Sequence, residues 1–230
     1  MNPRLLSRSI PPRLKERLRE ALWAHRLRRV MRRIEALPHG RVPDRTLLSQ
    51  LRSRWGNEGF AAELDFLETV AQQALLTPGP VLECGSGVTT LLLGALAVPR
   101  GVEVWAFEHS PEWHARVRRA LRGCCVEGVK LCLAPLREYA GFSWYDPPSR
   151  ALPEHFALVV CDGPPGNIPG GRYGLLPVLG RRLPRGAVIL LDDAGRPGEA
   201  LALERWQKNV GLLVEFHDRP ARSFACLTRA

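Results

Sequence analysis

The sequence predicts an α/β protein: a mostly parallel sheet covered by helices on both faces, with an antiparallel hairpin at its C-terminus. Three observations predict it. Short apolar runs at 81–83, 102–107, 129–133, 156–161 and 187–191 have little polar interruption, as strands buried on both faces require. Helix-like stretches at 89–97, 111–121, 175–183 and 198–209 alternate with them, the order of a crossover-connected parallel sheet. The last two runs, 212–217 and 223–228, are joined by only five residues, too few for a crossover helix. With 230 residues, 45% hydrophobic and 24% charged, the chain is long enough for a sizeable core. That composition excludes a disordered chain and a disulfide-stapled miniprotein.

The formal net charge is +10, and its placement matters more than its size. Residues 1–41 hold twelve Lys/Arg against Glu16, Glu20 and Glu35, a net of +9, while 42–230 are nearly neutral. The chain thus divides into a basic helical extension, 1–41, and a domain, 42–230. Pro11-Pro12 suits a helix start and Pro38-His39-Gly40 a helix end. Between them Leu14, Leu18, Leu22, Trp23, Leu27, Val30, Met31, Ile34 and Leu37 recur at three- and four-residue steps and are expected to form one apolar stripe. Three roles stay open for it: docking on its own domain, binding a membrane surface or a partner protein, and gripping nucleic acid. No run approaches the roughly 18–20 apolar residues of a membrane span. The six cysteines show no metal-ligand spacing, which fits a reducing cytoplasm, with a peripheral membrane location as the second expectation.

Past the helix-like 64–76, the first strand runs into Glu83-Cys84-Gly85-Ser86-Gly87-Val88-Thr89-Thr90. The glycines let the backbone turn sharply and let a ligand approach. Glu108 ends the second strand, 21 residues after Gly87, where a carboxylate can accept both hydrogen bonds of a ribose diol. Together they point to a nucleoside-containing cofactor. Glu83, two residues before the first glycine, would repel a pyrophosphate but suit a cationic amino group, which favours S-adenosylmethionine over NAD.

In order and spacing, E-C-G-S-G, V-W-A-F-E, F-A-L-V-V-C-D-G-P-P-G and G-A-V-I-L-L-D-D with a terminal hairpin resemble a class I S-adenosylmethionine-dependent methyltransferase, over roughly residues 60–230. The resemblance implies a Rossmann-like three-layer sandwich whose seven-stranded sheet takes the last hairpin strand antiparallel. It also implies cofactor contacts from Glu83, Gly85, Ser86 and Gly87 at the methionine end and Glu108 at the ribose. His109 and the turn Ala134-Pro135-Leu136 would lie by the adenine. Thr89 stands where the family more often has a third glycine and is counted with the cofactor loop.

Asp162 ends the fourth strand and Asp192-Asp193 the fifth. Neighbouring strand ends lie roughly 5 Å apart, so the three carboxylates can converge, and oxygen-only ligands suit Mg²⁺ or another divalent cation. The arrangement resembles catechol- and caffeoyl-type O-methyltransferases, although Asp193 replaces their usual Asn and their lysine after strand four is missing. In the metal-free alternative Asp162 orders cofactor or substrate, and Asp162 or His109 serves as general base. Arg172 and Tyr173, after the Gly/Pro-rich loop 163–171, are candidates for substrate contact.

The expected activity is methyl transfer to an oxygen, secondarily a nitrogen, of a small molecule. The alternatives are an RNA methyltransferase gripping phosphates with its basic segment, and a non-catalytic binding module of the same fold.

Overall fold

The computed structural model describes residues 11–57, 59, 61–218 and 222–230. The first ten residues of the basic segment and most of the 218–222 link therefore lie outside the described residues. The seven-stranded sheet comprises β1 (Val81–Cys84), β2 (Val104–Glu108), β3 (Val129–Leu133), β6 (Leu158–Cys161), β7 (Val188–Leu191), β8 (Leu212–His217) and β9 (Phe224–Arg229). Its order is β3-β2-β1-β6-β7-β9-β8, and a separate two-stranded sheet pairs β4 (Leu136–Tyr139) with β5 (Phe142–Tyr145). The five strands from β3 to β7 pair in parallel, and β9 inserts antiparallel between β7 and β8. This is the predicted architecture.

Every residue of β1, β2 and β6 is buried, which is why apolar residues dominate all three and Glu83 and Glu108 are their only charged members. One face of the sheet is covered by α1 (Pro12–Glu35), α2 (Arg45–Trp55), α3 (Leu64–Leu76), α4 (Val88–Ala97) and α5 (Pro111–Cys124), through a cluster that includes Leu27, Leu51, Phe66, Leu92 and Val117. The other face is covered by the short α6 (Leu175–Leu179), by α7 (Pro197–Asn209) and by the β4–β5 hairpin, around Trp144, Tyr145, Leu179 and Trp206.

Two elements escaped the sequence pattern. The α2 helix is capped by Asp44, whose side chain accepts from Leu47 N at 2.7 Å, and buries Leu47, Leu48, Leu51 and Trp55. The β4–β5 hairpin fills the crossover from β3 to β6 that a helix occupies elsewhere in the sheet.

The basic helix departs from the single stripe. Leu27, Val30, Met31 and Ile34 are buried in the core, but Leu14, Leu18 and Leu22 are 46%, 47% and 54% exposed. At about 100° per residue these three leucines fall on the side of the helix opposite Trp23, Leu27 and Ile34. The helix carries two apolar rows, and only the C-terminal one reaches the domain.

Candidate functional site

A cavity of about 900 Å³ opens where the carboxyl ends of β1, β2, β6 and β7 meet, the place an open parallel sheet keeps for ligands. The loop after β1 forms its floor. Gly85 has φ +88°, and a Cβ there would stand 2.9–3.0 Å from the backbone of Asp162 and Gly163. Only glycine lets the loops after β1 and β6 pack this closely. Glu83 lies beneath, fully buried. Its Oε2 accepts from Thr90 Oγ1 at 2.5 Å, Thr90 Oγ1 accepts from Gly87 N at 2.8 Å, and Oε1 has no partner. Burial pushes its pKa up to about 8, against the Thr89 and Thr90 hydroxyls, which favour the anion.

Glu108 bridges two loops. Its Oε2 accepts from Ser86 Oγ at 2.9 Å and Ser86 N at 3.3 Å, and its Oε1 accepts from Ser110 N at 2.9 Å. A carboxylate has about four acceptor sites, so capacity for a diol remains. His109 Nδ1 stands 3.2 Å from Glu108 Oε1, on the cavity wall. Trp113 donates from Nε1 to Ser86 O at 2.6 Å.

The opposite wall holds the acids. Asp162, Asp192 and Asp193 each bring an oxygen within 4.8 Å of the others. The guanidinium of Arg172, 3% exposed, lies among them. It pairs with Asp162 Oδ1 at 3.0 Å and Asp193 Oδ2 at 3.1 Å, and donates to the Asp192 carbonyl. Its Nε is 3.7 Å from the buried Glu199. Asp193 also meets Arg196 at 2.8 Å and Arg222 at 3.8 Å. Burial, then Asp192, raises the Asp162 pKa well above the carboxylate range, and Arg172 only partly opposes this. Burial opposes the charge on Arg172, but Asp162, Cys161, Asp192 and Asp193 together outweigh it and hold the guanidinium protonated. The oxygen set suits a hard divalent cation. The position is taken, however, because an ion would have to displace the Arg172 guanidinium and leave it buried among fewer acids.

Of the predicted site residues, Gly85, Ser86, Gly87, Thr89, Glu108, His109, Asp162, Arg172 and Asp193 line the cavity, with Glu83 directly under its floor. Pro135 and Leu136 do not line it. The chain turns away after β3 to build the hairpin, Pro135 O accepting from Asp146 N and Leu136 pairing with Tyr145. Tyr145, on the partner strand, reaches the cavity instead. Tyr173 also points elsewhere: its ring meets Phe142 at 5.3 Å and Arg205 at 5.3 Å, over a separate hollow of about 130 Å³. Arg172 lines the cavity with its guanidinium engaged by the acid group.

Sequence reasoning passed over Trp113, Tyr145 and Glu199. Each is an aromatic or helical residue that reads as packing, and only the fold turns its polar end toward the cavity. Trp55, at the end of α2, and Asn57 also line the cavity.

No protein-family model matches this chain, and no curated protein matches it closely enough to count. Solved structures do. A methyltransferase from Podospora anserina, bound to SAH, superposes with a TM-score of 0.55 at 17% identity, covering 98% of this chain and all of that one. An O-methyltransferase from Bacillus cereus in complex with SAH gives 0.57 at 12% identity, covering 82% and 93%. A putative O-methyltransferase from Klebsiella pneumoniae gives 0.51 at 16% identity, covering 93% and 94%. The chain has the fold of these class I methyltransferases.

Proposed function

We propose that this protein transfers a methyl group from S-adenosylmethionine to an oxygen nucleophile of a small molecule, without a metal. One observation carries the cofactor: a glycine loop pinned to Glu108 stands beside Glu83, whose buried Oε1 lacks a partner. That loop admits close backbone approach, Glu108 retains capacity for a ribose diol, and Glu83 offers a carboxylate to an amino group. When bound, S-adenosylmethionine supplies an electrophilic methyl on a sulfonium.

The chain's own residues supply the rest. Asp162 borders both the glycine loop and the free volume, so it is the acid best placed beside an acceptor hydroxyl. It would take the hydroxyl proton as the acceptor oxygen is methylated. Arg172 holds Asp162 in place and balances the charge of the acid group, the role the resemblance gave to a metal. His109, 3.2 Å from Glu108 on the cavity wall, would help hold the cofactor there. A cavity of this size is typical for small molecules, which favours such an acceptor over a polynucleotide.

Calorimetry with S-adenosylmethionine, S-adenosylhomocysteine and NAD tests the cofactor. Binding of the first two alone is expected. Failure of both restores the non-catalytic module, and NAD binding would instead point to an oxidoreductase. Screening hydroxylated small molecules for S-adenosylhomocysteine release, with and without EDTA, tests the reaction. Activity unaffected by EDTA is expected, and Mg²⁺-dependent activity overturns the metal-free reading. Methylation of RNA but of no small molecule favours the polynucleotide alternative.

A further inference from the structure

We propose that the N-terminal half of α1 is a docking surface for an anionic membrane, independent of the reaction assigned to the cavity. That helix carries two apolar rows. The C-terminal row is spent on the core: Leu27, Met31 and Ile34 are buried, and Trp23 donates from Nε1 to Trp55 O at 3.2 Å. Arg116 lies 5.1–5.2 Å from the ring centroids of Trp23, Trp55 and Trp113, so this half of the helix is locked to the domain. Residues 13–22 are exposed throughout, and Leu14, Leu18 and Leu22 line up there at four-residue steps.

Charge around that row is sorted. At about 100° per residue, Lys15 and Arg19 border it on one side and Arg17 on the other, Arg29 and Arg32 continue it toward the domain, and Arg13 lies further round the helix, beside Glu20. Glu16 and Glu20 fall on the opposite face of the helix. An exposed apolar strip edged by basic side chains, with its acids turned away, is what a helix lying in a lipid interface requires. Leucines enter the acyl boundary, and the long Lys and Arg side chains reach up to the headgroups. The other occupants match less well. A second copy would set one strongly basic segment against another, and nucleic acid would leave the leucine row facing water or phosphate. No helix among the described residues is long and apolar enough to cross a membrane, so the contact is with the surface.

The test is flotation of the full chain with vesicles of about one part phosphatidylserine to three of phosphatidylcholine, and with phosphatidylcholine alone, at physiological salt. Binding to the first and not the second is expected. The triple variant Leu14→Gln, Leu18→Gln, Leu22→Gln should lose at least about tenfold in affinity, because buried apolar area sets part of the binding. Its melting temperature and circular dichroism should be unchanged, since none of the three touches the core. Replacing Arg13, Lys15, Arg17 and Arg19 by Gln should abolish the preference for the anionic lipid. Three results would overturn the proposal. They are no binding to phosphatidylserine vesicles, equal binding by the leucine variant, or a wild-type dimer by light scattering that the leucine variant converts to monomer.

Discussion

Trp113 donates from its indole to the carbonyl of Ser86 across 2.6 Å, so α5 holds the glycine loop through one side chain. The same ring packs edge-on to Trp55 at 5.9 Å and lies under Arg116, which donates to Trp55 O at 3.0 Å. Three tryptophans and an arginine thereby connect α1, the end of α2 and the glycine loop. Trp113→Phe keeps the ring and removes the donor. A net stability loss of about 1 kcal/mol is expected, with a several-fold weaker Kd for S-adenosylmethionine and little change in kcat. Calorimetry and thermal melts check it, and an unchanged Kd would mean the loop holds its shape unaided.

Gly85 tests the contact between the loops after β1 and β6. Its φ of +88° costs an L side chain about 1–2 kcal/mol, and a Cβ would also press on the Gly163 backbone. Gly85→Ala should lose at least that much stability and bind S-adenosylmethionine at least about tenfold more weakly. Gly87→Ala is the internal control for stability alone, because a Cβ at Gly87 meets no protein atom within 4 Å. If both variants melt alike, the close approach of the two loops is unimportant.

Arg172 is the counter-ion of the acid group. Removing one partner of a buried ion pair typically costs about 3–5 kcal/mol, because the charges left behind stay dehydrated. Arg172→Met should therefore destabilise by that order, and less at low pH, where the acids protonate. Arg172→Lys keeps the charge but loses the fork that reaches Asp162, Asp193 and the Asp192 carbonyl together. It should fall between the two. Added Mg²⁺ that restores the melting temperature of Arg172→Met would show that the arginine occupies a position a metal can fill.

How much of this was legible in the sequence depends on where the information lies. The strands 129–133 and 212–217 and the helix 64–76 match to the residue, because a largely apolar run or a clear helical period is a local property. The glycine loop and Glu108 were legible for the same reason, as each sits directly at a strand end. The Arg172 pairing was not, since 21 residues separate it from Asp193 and only the fold returns the loop onto β7. The hairpin was missed because polar residues interrupt both of its short strands, Arg137 and Glu138 in one and Ser143 in the other, so neither reads as an apolar run. In α1, three- and four-residue steps concealed a rotation: a row that begins at Leu14 does not continue through Trp23.

Asp162 should set the pH dependence of turnover. With its pKa raised by burial and Asp192, it becomes a competent base only as pH climbs through that raised value, so kcat should increase with pH. Asp162→Asn should lower kcat by about 10²–10⁴ and flatten that rise, while the Kd for S-adenosylmethionine changes little. A variant that keeps the pH-dependent limb would transfer the proton to His109.

Glu83 sets function against stability. It is fully buried, one oxygen has no partner, and its pKa is pushed up to about 8 from a reference value of 4.5. The folded state therefore binds a proton that the unfolded chain has already released, so stability contributed by this group is complete below about 4.5 and falls as pH rises toward 8. Glu83→Gln cannot ionise, so its melting temperature should pull ahead of the wild type across that window and hold its lead above it. The cost should appear in binding. A cationic amino group brought to Glu83 favours the carboxylate, so S-adenosylmethionine binding should release a proton near neutral pH, and Glu83→Gln should bind it more weakly. Calorimetry in buffers of different ionisation enthalpy measures the released proton directly. Equal proton release by the variant would assign it to another group and leave Glu83 as a support for the Thr90 hydroxyl alone.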